Sequence, residues 1–381
     1  MRKTRITLIV FTTMSFVLSM SAYVFGGILD KVAVSLNISI SNTGLLTTMY
    51  SFGAAFGTPI VLIVFRKVEQ TKMLKIMLSI AILMTLALVF IQDFGQLLFI
   101  RLAMGISCNS YGVLALSTVI SLSEKERQGR SLAFLIMGSS LALVIGIPMT
   151  RALSSIFSWR SIFLTLSIIM VLCLIYLKIY LPKHNHEPIK LNLKAELIFL
   201  RDRKTLLIVL FTLIMFIGQG AFYTYVTPYL IHLFPSIETI MSLILFLIGI
   251  ASLAGNQIGG YVSDRIGYAK AMLLGAVFQM VSMLLIIEFQ SIHWLSVLFV
   301  QAWLMSVWFT GLQLNNGIVQ ATQNKSNFMI SINSSSIQLG GAIGSSLAAI
   351  IISISGVQSI VFITFITSVV ITMIQLYSNK L

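Results

Sequence analysis

The sequence predicts an all-α membrane protein of twelve transmembrane helices in two pseudo-symmetric six-helix bundles. Three observations carry that expectation. Only 9% of the 381 residues are charged and 57% are hydrophobic, against roughly a quarter charged in a soluble domain, and mean hydropathy is +0.99. Apolar runs of the length that crosses a bilayer, about 20 residues, recur along the whole chain. One long polar break at 182–204 divides them six and six.

The first run, 7–29, follows the basic start "MRKTR". Its opening is built like a secretory signal, but the apolar stretch continues through "YVFGGIL", so a retained first helix is expected. Runs at 43–65, 73–92, 96–120, 131–153 and 161–181 complete an amino-terminal bundle spanning 1–181. The break "PKHNHEPIKLNLKAELIFLRDRK", 182–204, mixes proline, charge and a short amphipathic stretch, and reads as a cytoplasmic linker at the membrane surface. A carboxy-terminal bundle, 205–381, follows with runs at 205–231, 239–261, 270–288, 293–318, 328–352 and 357–377.

Net charge is +14, which in a soluble chain points to nucleic acid. Here the basic residues fall in alternate loops, apart from Lys31, Arg101, Arg151 and Arg160. Short loops rich in Lys and Arg stay in the cytoplasm, so both termini are expected inside and the excess charge is topological; a nucleic-acid partner is not expected. Cys108 and Cys173 lie inside apolar runs, and His184 and His186 stand in the linker without acidic or cysteine partners. Neither a disulfide framework, a metal site nor a cofactor is expected. No nucleophile–base constellation or phosphate-binding loop occurs, which speaks against an enzyme and against ATP-driven transport by this chain alone.

The halves repeat. A shift of 198 residues aligns "GTPIVLIVFRKVEQTKML" (57–74) with "GNQIGGYVSDRIGYAKAM" (255–272), pairing Gly57 with Gly255, Lys67 with Arg265, Val68 with Ile266 and Lys72 with Lys270. Each segment joins the second and third helix of its half. On these residues the chain resembles the major facilitator superfamily along essentially its whole length. That family's turn, Gly-x-x-x-Asp-Arg-x-Gly-x-x-Lys/Arg, is carried by Gly260, Asp264, Arg265, Gly267 and Lys270, whereas the amino-terminal copy has Arg66 in the acidic place and Glu69 in the glycine place.

"RLAMGISCNSYG" is similar to the Arg-x-x-x-Gly pattern of the drug/proton antiporter branch, through Arg101 and Gly105. "GSSLALVIGIPMTRALSSIFSWRSIF" resembles its Gly-Pro antiporter motif, through Gly138, Gly146, Pro148, Trp159 and Arg160, with Ile147 interposed and Arg151 where a small residue is usual. With "YTYVTPYL" in helix 7, the chain is similar to bacterial sugar, purine and arabinose-efflux-like exporters. The resemblance implies a monomeric, proton-coupled exporter in a bacterial cell membrane, working by alternating access between the bundles. An uptake symporter or facilitator of the same fold, and a non-transporting sensor or enzyme, are the alternatives.

Charges inside a membrane are costly and tend to be functional. The eleven acids all fall in turns or near the expected helix ends. Arg101 is the best-embedded cation, and Asp30, at the outer end of helix 1, is its nearest expected partner for coupling. Small residues in helix 5 (Gly138 to Gly146) and helix 11 (Gly340 to Ser346) are expected to let helices slide at the interface between the halves, with Pro148 bending helix 5. The resemblance places substrate on helices 1, 4, 7 and 10, where Tyr23, Asn109, Gln219, Tyr223, Trp308 and Asn315 are the candidates. Amides and aromatics without charge suit a neutral solute such as a sugar, nucleobase, nucleoside or uncharged drug-like compound. A cation would lack the counter-charge that a low-dielectric cavity demands.

Overall fold

A computed structural model of the chain describes residues 2–65, 67–123, 128–181, 202–322 and 327–379. These residues contain twelve helices long and apolar enough to span a membrane: α1 (Ile6–Leu36), α2 (Ile40–Val64), α3 (Gln70–Phe90), α4 (Phe94–Leu122), α5 (Gln128–Leu153), α6 (Trp159–Tyr180), α7 (Arg203–Thr224), α8 (Pro235–Ile266), α9 (Tyr268–Glu288), α10 (His293–Ala321), α11 (Met329–Ser355) and α12 (Val357–Ser378). No strand occurs among them. Residues 182–201 of the expected linker 182–204, with His184 and His186, lie outside the described residues, as do Arg66, Glu124 to Arg127, Lys325 and Lys380.

Contacts gather the chain into two compact units: Met1–Ile38 with Met49–Lys190, and Ser39–Thr48 with Leu191–Leu381. The start of α2 thus groups with the second unit. Within that unit Tyr225 Oη donates to the Ser41 carbonyl (3.2 Å), and the Thr48 and Ser345 hydroxyls lie 2.7 Å apart.

Several helix ends depart from the sequence reading, each for a local reason. Helix α1 runs seven residues past the expected end at 29, through Asp30 and Lys31, with a kink at Ile28 just after the Gly26–Gly27 pair. It stops at Asn37, whose φ of 53° lets the Asn37 and Ile38 amides bond back to Val34 and Ala33, the Schellman closure. The helix expected at 205–231 breaks at Tyr225 and resumes as a short helix, Val226–Leu233. Pro228 is the cause: it has no N–H to donate to Thr224, and its ring crowds that carbonyl. Pro59 and Pro148 are instead absorbed by a wide π turn just upstream, Gly53–Gly57 in α2 and Ala142–Gly146 in α5.

Inside the first unit, backbone meets backbone. A Cβ on Gly105 would fall 1.9 Å from the Tyr50 carbonyl oxygen, and one on Gly53 would fall 2.1 Å from that of Leu102, so α2 and α4 pack at a spacing only glycine permits. The small-residue faces expected to slide between halves also pack within their own units. Gly138 abuts the Thr12 carbonyl of α1 and Gly146 the Met20 sulfur, while Gly340 and Gly344 sit on the Leu213 and Ile217 carbonyls of α7. Each of these four glycines packs closely inside its own unit.

Candidate functional site

In the first unit, Arg101 is fully buried on α4. Its Nη1 donates to the Ser21 carbonyl at 2.8 Å, and its guanidinium lies between the rings of Phe25 and Tyr50, 4.7 and 4.5 Å from their centroids. A flat, weakly hydrated cation held between two π faces suits an apolar span. Asp30 is not its partner. Ser21, which marks the level of Arg101, precedes Asp30 by nine residues, about 13 Å along a helix at ~1.5 Å per residue.

Asp30 instead accepts from Arg151 Nη1 at 2.5 Å, with the Gly27 carbonyl 3.4 Å from the same nitrogen. The side chains are 19% and 3% exposed, respectively. Asp30 is thus a carboxylate inside α1, paired with the arginine that stands where the resembling motif has a small residue. This corrects both the expected Asp30/Arg101 pair and the placing of Asp30 at a helix end. Two other acids lie at helix ends as expected, and there cap the helix: Asp93 accepts from the Gln96 amide at 2.8 Å, and Asp202 from the Thr205 amide at 2.9 Å.

Arg160 also has a defined task. Its Nη1 donates to the Val89 and Ile91 carbonyls (2.8 and 2.7 Å) at the carboxy end of α3, where the unpaired carbonyls of a helix favour a cation. The neighbouring Trp159 donates from Nε1 to the Ser35 hydroxyl at 3.1 Å, tying α6 to α1. Of the two substrate candidates in this unit, Tyr23 is half-buried on α1, while Asn109 spends its amide on the Thr58 hydroxyl of α2 at 3.0 Å.

The second unit holds a different chemistry. Between Thr205 and Thr224 in α7, and between Trp294 and Ala321 in α10, there is no Asp, Glu, Lys, Arg or His. The two helices are tied at two levels. At one, the Phe222 ring meets Trp303 edge-on at 5.1 Å and Tyr229 at 5.1 Å. At the other, the Thr212 hydroxyl donates to Asn333 Oδ1 (2.7 Å), and Asn333 Nδ2 donates to Asn315 Oδ1 (3.1 Å).

Thr212 lies ten residues before Phe222 and Asn315 twelve after Trp303, so the helices run antiparallel and Gln219 and Trp308 fall between the two ties. The side chains of Gln219 and Trp308 are half-buried, and neither makes a hydrogen bond to another of the described residues. Beside Trp308, a Cβ on Gly311 would meet nothing within 4 Å, so that face of α10 borders open space. Asn315, seven residues on and therefore on the same face, is exposed, and its amide nitrogen makes no bond to the described residues. Tyr223, one turn from Gln219, is half-buried.

The sequence reading did not single out Asn333 and Thr212, which orient Asn315, or Tyr229; Tyr229 Oη and Trp303 Nε1 are buried without a hydrogen-bond partner among the described residues. Buried polar atoms of that kind are scarce in folded proteins. The signal for Asn333 was an amide near the start of α11, and for Tyr229 an aromatic residue next to Pro228.

The carboxy-terminal turn is a single residue long. Gly267 has φ 82° and ψ 155°, a conformation that side chains other than glycine resist, and joins α8 directly to α9. Asp264, Arg265 and Lys270 are exposed around it, and Arg265 lies over the Tyr261 ring at 4.3 Å. Gly260 packs against Leu312 at an ordinary distance. No ion pair to Asp264 occurs among the described residues.

Comparison with known proteins agrees with this architecture. The chain is 24% identical over 351 residues to an uncharacterised MFS-type transporter of Bacillus subtilis, YbcL, covering 92% of this chain and 89% of that one. It is 25% identical over 359 residues to a probable sugar efflux transporter of Helicobacter pylori strain P12, covering 91% and 90%. Solved structures of the same fold include a point mutant of the nucleoside transporter NupG (TM-score 0.74, 13% identity, covering 98% of this chain and 99% of that one), and the xylose transporter XylE of E. coli (TM-score 0.73, 13% identity, 98% and 97%). The sequence profile of the Major Facilitator Superfamily matches residues 11–323 and 234–378. The chain therefore belongs to the Major Facilitator Superfamily: it is a multi-pass membrane transporter, not an enzyme.

Proposed function

We propose that this transporter exports a small neutral, hydroxylated solute of the sugar or nucleoside kind by alternating access, driven by protons. The observation that carries the substrate class is the uncharged polar face of α7 and α10. Gln219 and Trp308 are unspent on the described residues, and Asn315 is held by Asn333 with its amide nitrogen outward. Amide and indole groups pair with hydroxyls, and the indole face packs on a sugar or base ring. The names borne by the Helicobacter relatives support efflux of sugars.

Coupling rests on family resemblance and on a carboxylate inside α1, Asp30, paired with Arg151. The gating roles of Arg101, Gly146, Pro148 and the turn Gly260, Asp264, Arg265, Gly267 and Lys270 belong to the same proposal. So do the placing of both termini in the cytoplasm of a bacterial cell and action as a monomer.

The test is flux in inverted vesicles carrying the purified chain. Sugars, nucleosides and a permanent cation are offered with and without an imposed pH gradient. Saturable, gradient-dependent accumulation of a neutral solute is expected. Robust transport of the permanent cation would refute the substrate class, and uptake from the opposite face alone would refute export.

A further inference from the structure

Away from the polar faces, the first unit contains a cavity of about 380 Å³ between the end of α2, the start of α3 and the middle of α4. Its walls are apolar, among them Val61, Phe65, Ile76, Ile80 and Ile106. Phe65, just past the end of α2, and Ile76 on α3 are 46% and 39% exposed at its mouth. The polar lining residues are Lys72 and Ser107, and Ser107 gives its hydroxyl to the Ala103 carbonyl at 2.8 Å. A polyhydroxylated substrate would find almost nothing to bond there; a hydrocarbon chain would lose nothing.

Charge gives the cavity a polarity. Lys72 stands in the first turn of α3, exposed and outside any ion pair among the described residues, at the end of the helix where lipid headgroups lie. Lys67 precedes it in the turn and Lys75 follows one helical turn on, and the amino end of α3 adds its own positive partial charge. Glu69, an opposing carboxylate in the same turn, accepts from the Thr71 hydroxyl. An apolar cleft between helices capped by a basic rim is the arrangement that holds an anionic lipid.

We infer that this cavity binds one acyl chain of an anionic phospholipid, with the headgroup phosphate on Lys72. The site is separate from the proposed substrate face and does not depend on the transported solute.

Native mass spectrometry of the purified full chain, released from micelles supplied with equal phosphatidylglycerol and phosphatidylcholine, tests the assignment. A retained phosphatidylglycerol adduct is expected. Lys72→Gln should weaken it ~5-fold, the effect of one basic residue near a headgroup, and Ile80→Trp, which fills the cavity, should abolish it. Lys270→Gln, on the other unit, should leave it unchanged. Lys72 is exposed, so its variant does not hinge on refolding the core. Equal retention of the two lipids, or a phosphatidylglycerol adduct undiminished in both Lys72→Gln and Ile80→Trp, overturns the assignment. So does displacement of the adduct by a transported sugar, which would make the cavity part of the transport path.

Discussion

Asp30→Asn isolates the energetic role of the Asp30–Arg151 pair. Asparagine keeps the shape and an acceptor oxygen but removes the charge, leaving a guanidinium that is 3% exposed beside a neutral amide and the Gly27 carbonyl. Removing one partner of a buried pair costs about 3–5 kcal/mol. Asp30 is 19% exposed and asparagine still accepts a hydrogen bond, so the cost falls below that range, at about 2–3 kcal/mol. For a unit of this size each kcal/mol moves Tm by about 2–4 °C, giving a drop of about 4–12 °C in detergent. The double variant Asp30→Leu/Arg151→Met replaces both charges with apolar groups and should recover most of that loss, since an ion pair exchanged for packed hydrocarbon is often neutral. Thermal unfolding of wild type, Asp30→Leu, Arg151→Met and the double variant closes the cycle, with Asp30→Asn measured beside them. If Asp30→Asn melts within about a degree of wild type, or if the double variant is as unstable as the sum of the singles, the pair carries no buried electrostatic load and the reasoning fails.

Arg101→Lys keeps the charge and a donor for Ser21 but loses the planar stack between Phe25 and Tyr50; a loss of about 1–2 kcal/mol in thermal unfolding is expected, and an unchanged Tm would refute the stacking role. Gly105→Ala should sharply lower the folded yield by size-exclusion chromatography, because its Cβ lands on the Tyr50 carbonyl, whereas Gly112→Ala on the same helix meets nothing within 4 Å and should not. Gln219→Leu should raise the KM for transport about 5-fold, the equivalent of one lost hydrogen bond of about 1 kcal/mol, with Tm unchanged; an unchanged KM removes Gln219 from the site. Asp264→Asn should slow transport at constant protein level if the exposed carboxylate latches a conformation, and an unchanged rate ends that idea.

Twelve spans were legible because each needs only a run of apolar residues, a signal that survives in a single sequence. Their ends were less so. Asp30 and Lys31 look like the edge of a membrane, yet α1 absorbs both, since Arg151 neutralises Asp30 from 121 residues away and the helix finds its stop only at Asn37. Pro228 was visible, but whether a proline breaks a membrane helix or is swallowed by a π turn depends on what lies upstream. Gly57 and Gly146, each two residues before a proline, accompany the swallowed cases, while no glycine precedes Pro228 at that spacing. The candidate site was half legible. Residue type and helix number pointed to Gln219, Trp308 and Asn315, while the positioning pair Thr212 and Asn333 rests on side-chain geometry that no periodicity encodes.

The two units divide their polar groups unevenly, and the division has a physical logic. The first carries two arginines buried within its spans, Arg101 on a carbonyl and two rings and Arg151 on Asp30, and a third, Arg160 in the first turn of α6, on the carbonyls at the end of α3. In the second, charged residues of the described spans stand only near helix ends, as Glu238, Asp264, Arg265, Lys270 and Glu288 do, and the interior polarity is amide, hydroxyl and aromatic. A site of neutral donors and acceptors can release a hydroxylated solute cheaply, because water replaces its hydrogen bonds one for one. Removing the charge of one partner of a buried ion pair is costly, because the other charge is then less compensated. Under the proposed cycle, recognition in one unit and coupling in the other let each chemistry be tuned alone, so a change of substrate need touch only α7, α10 and α11.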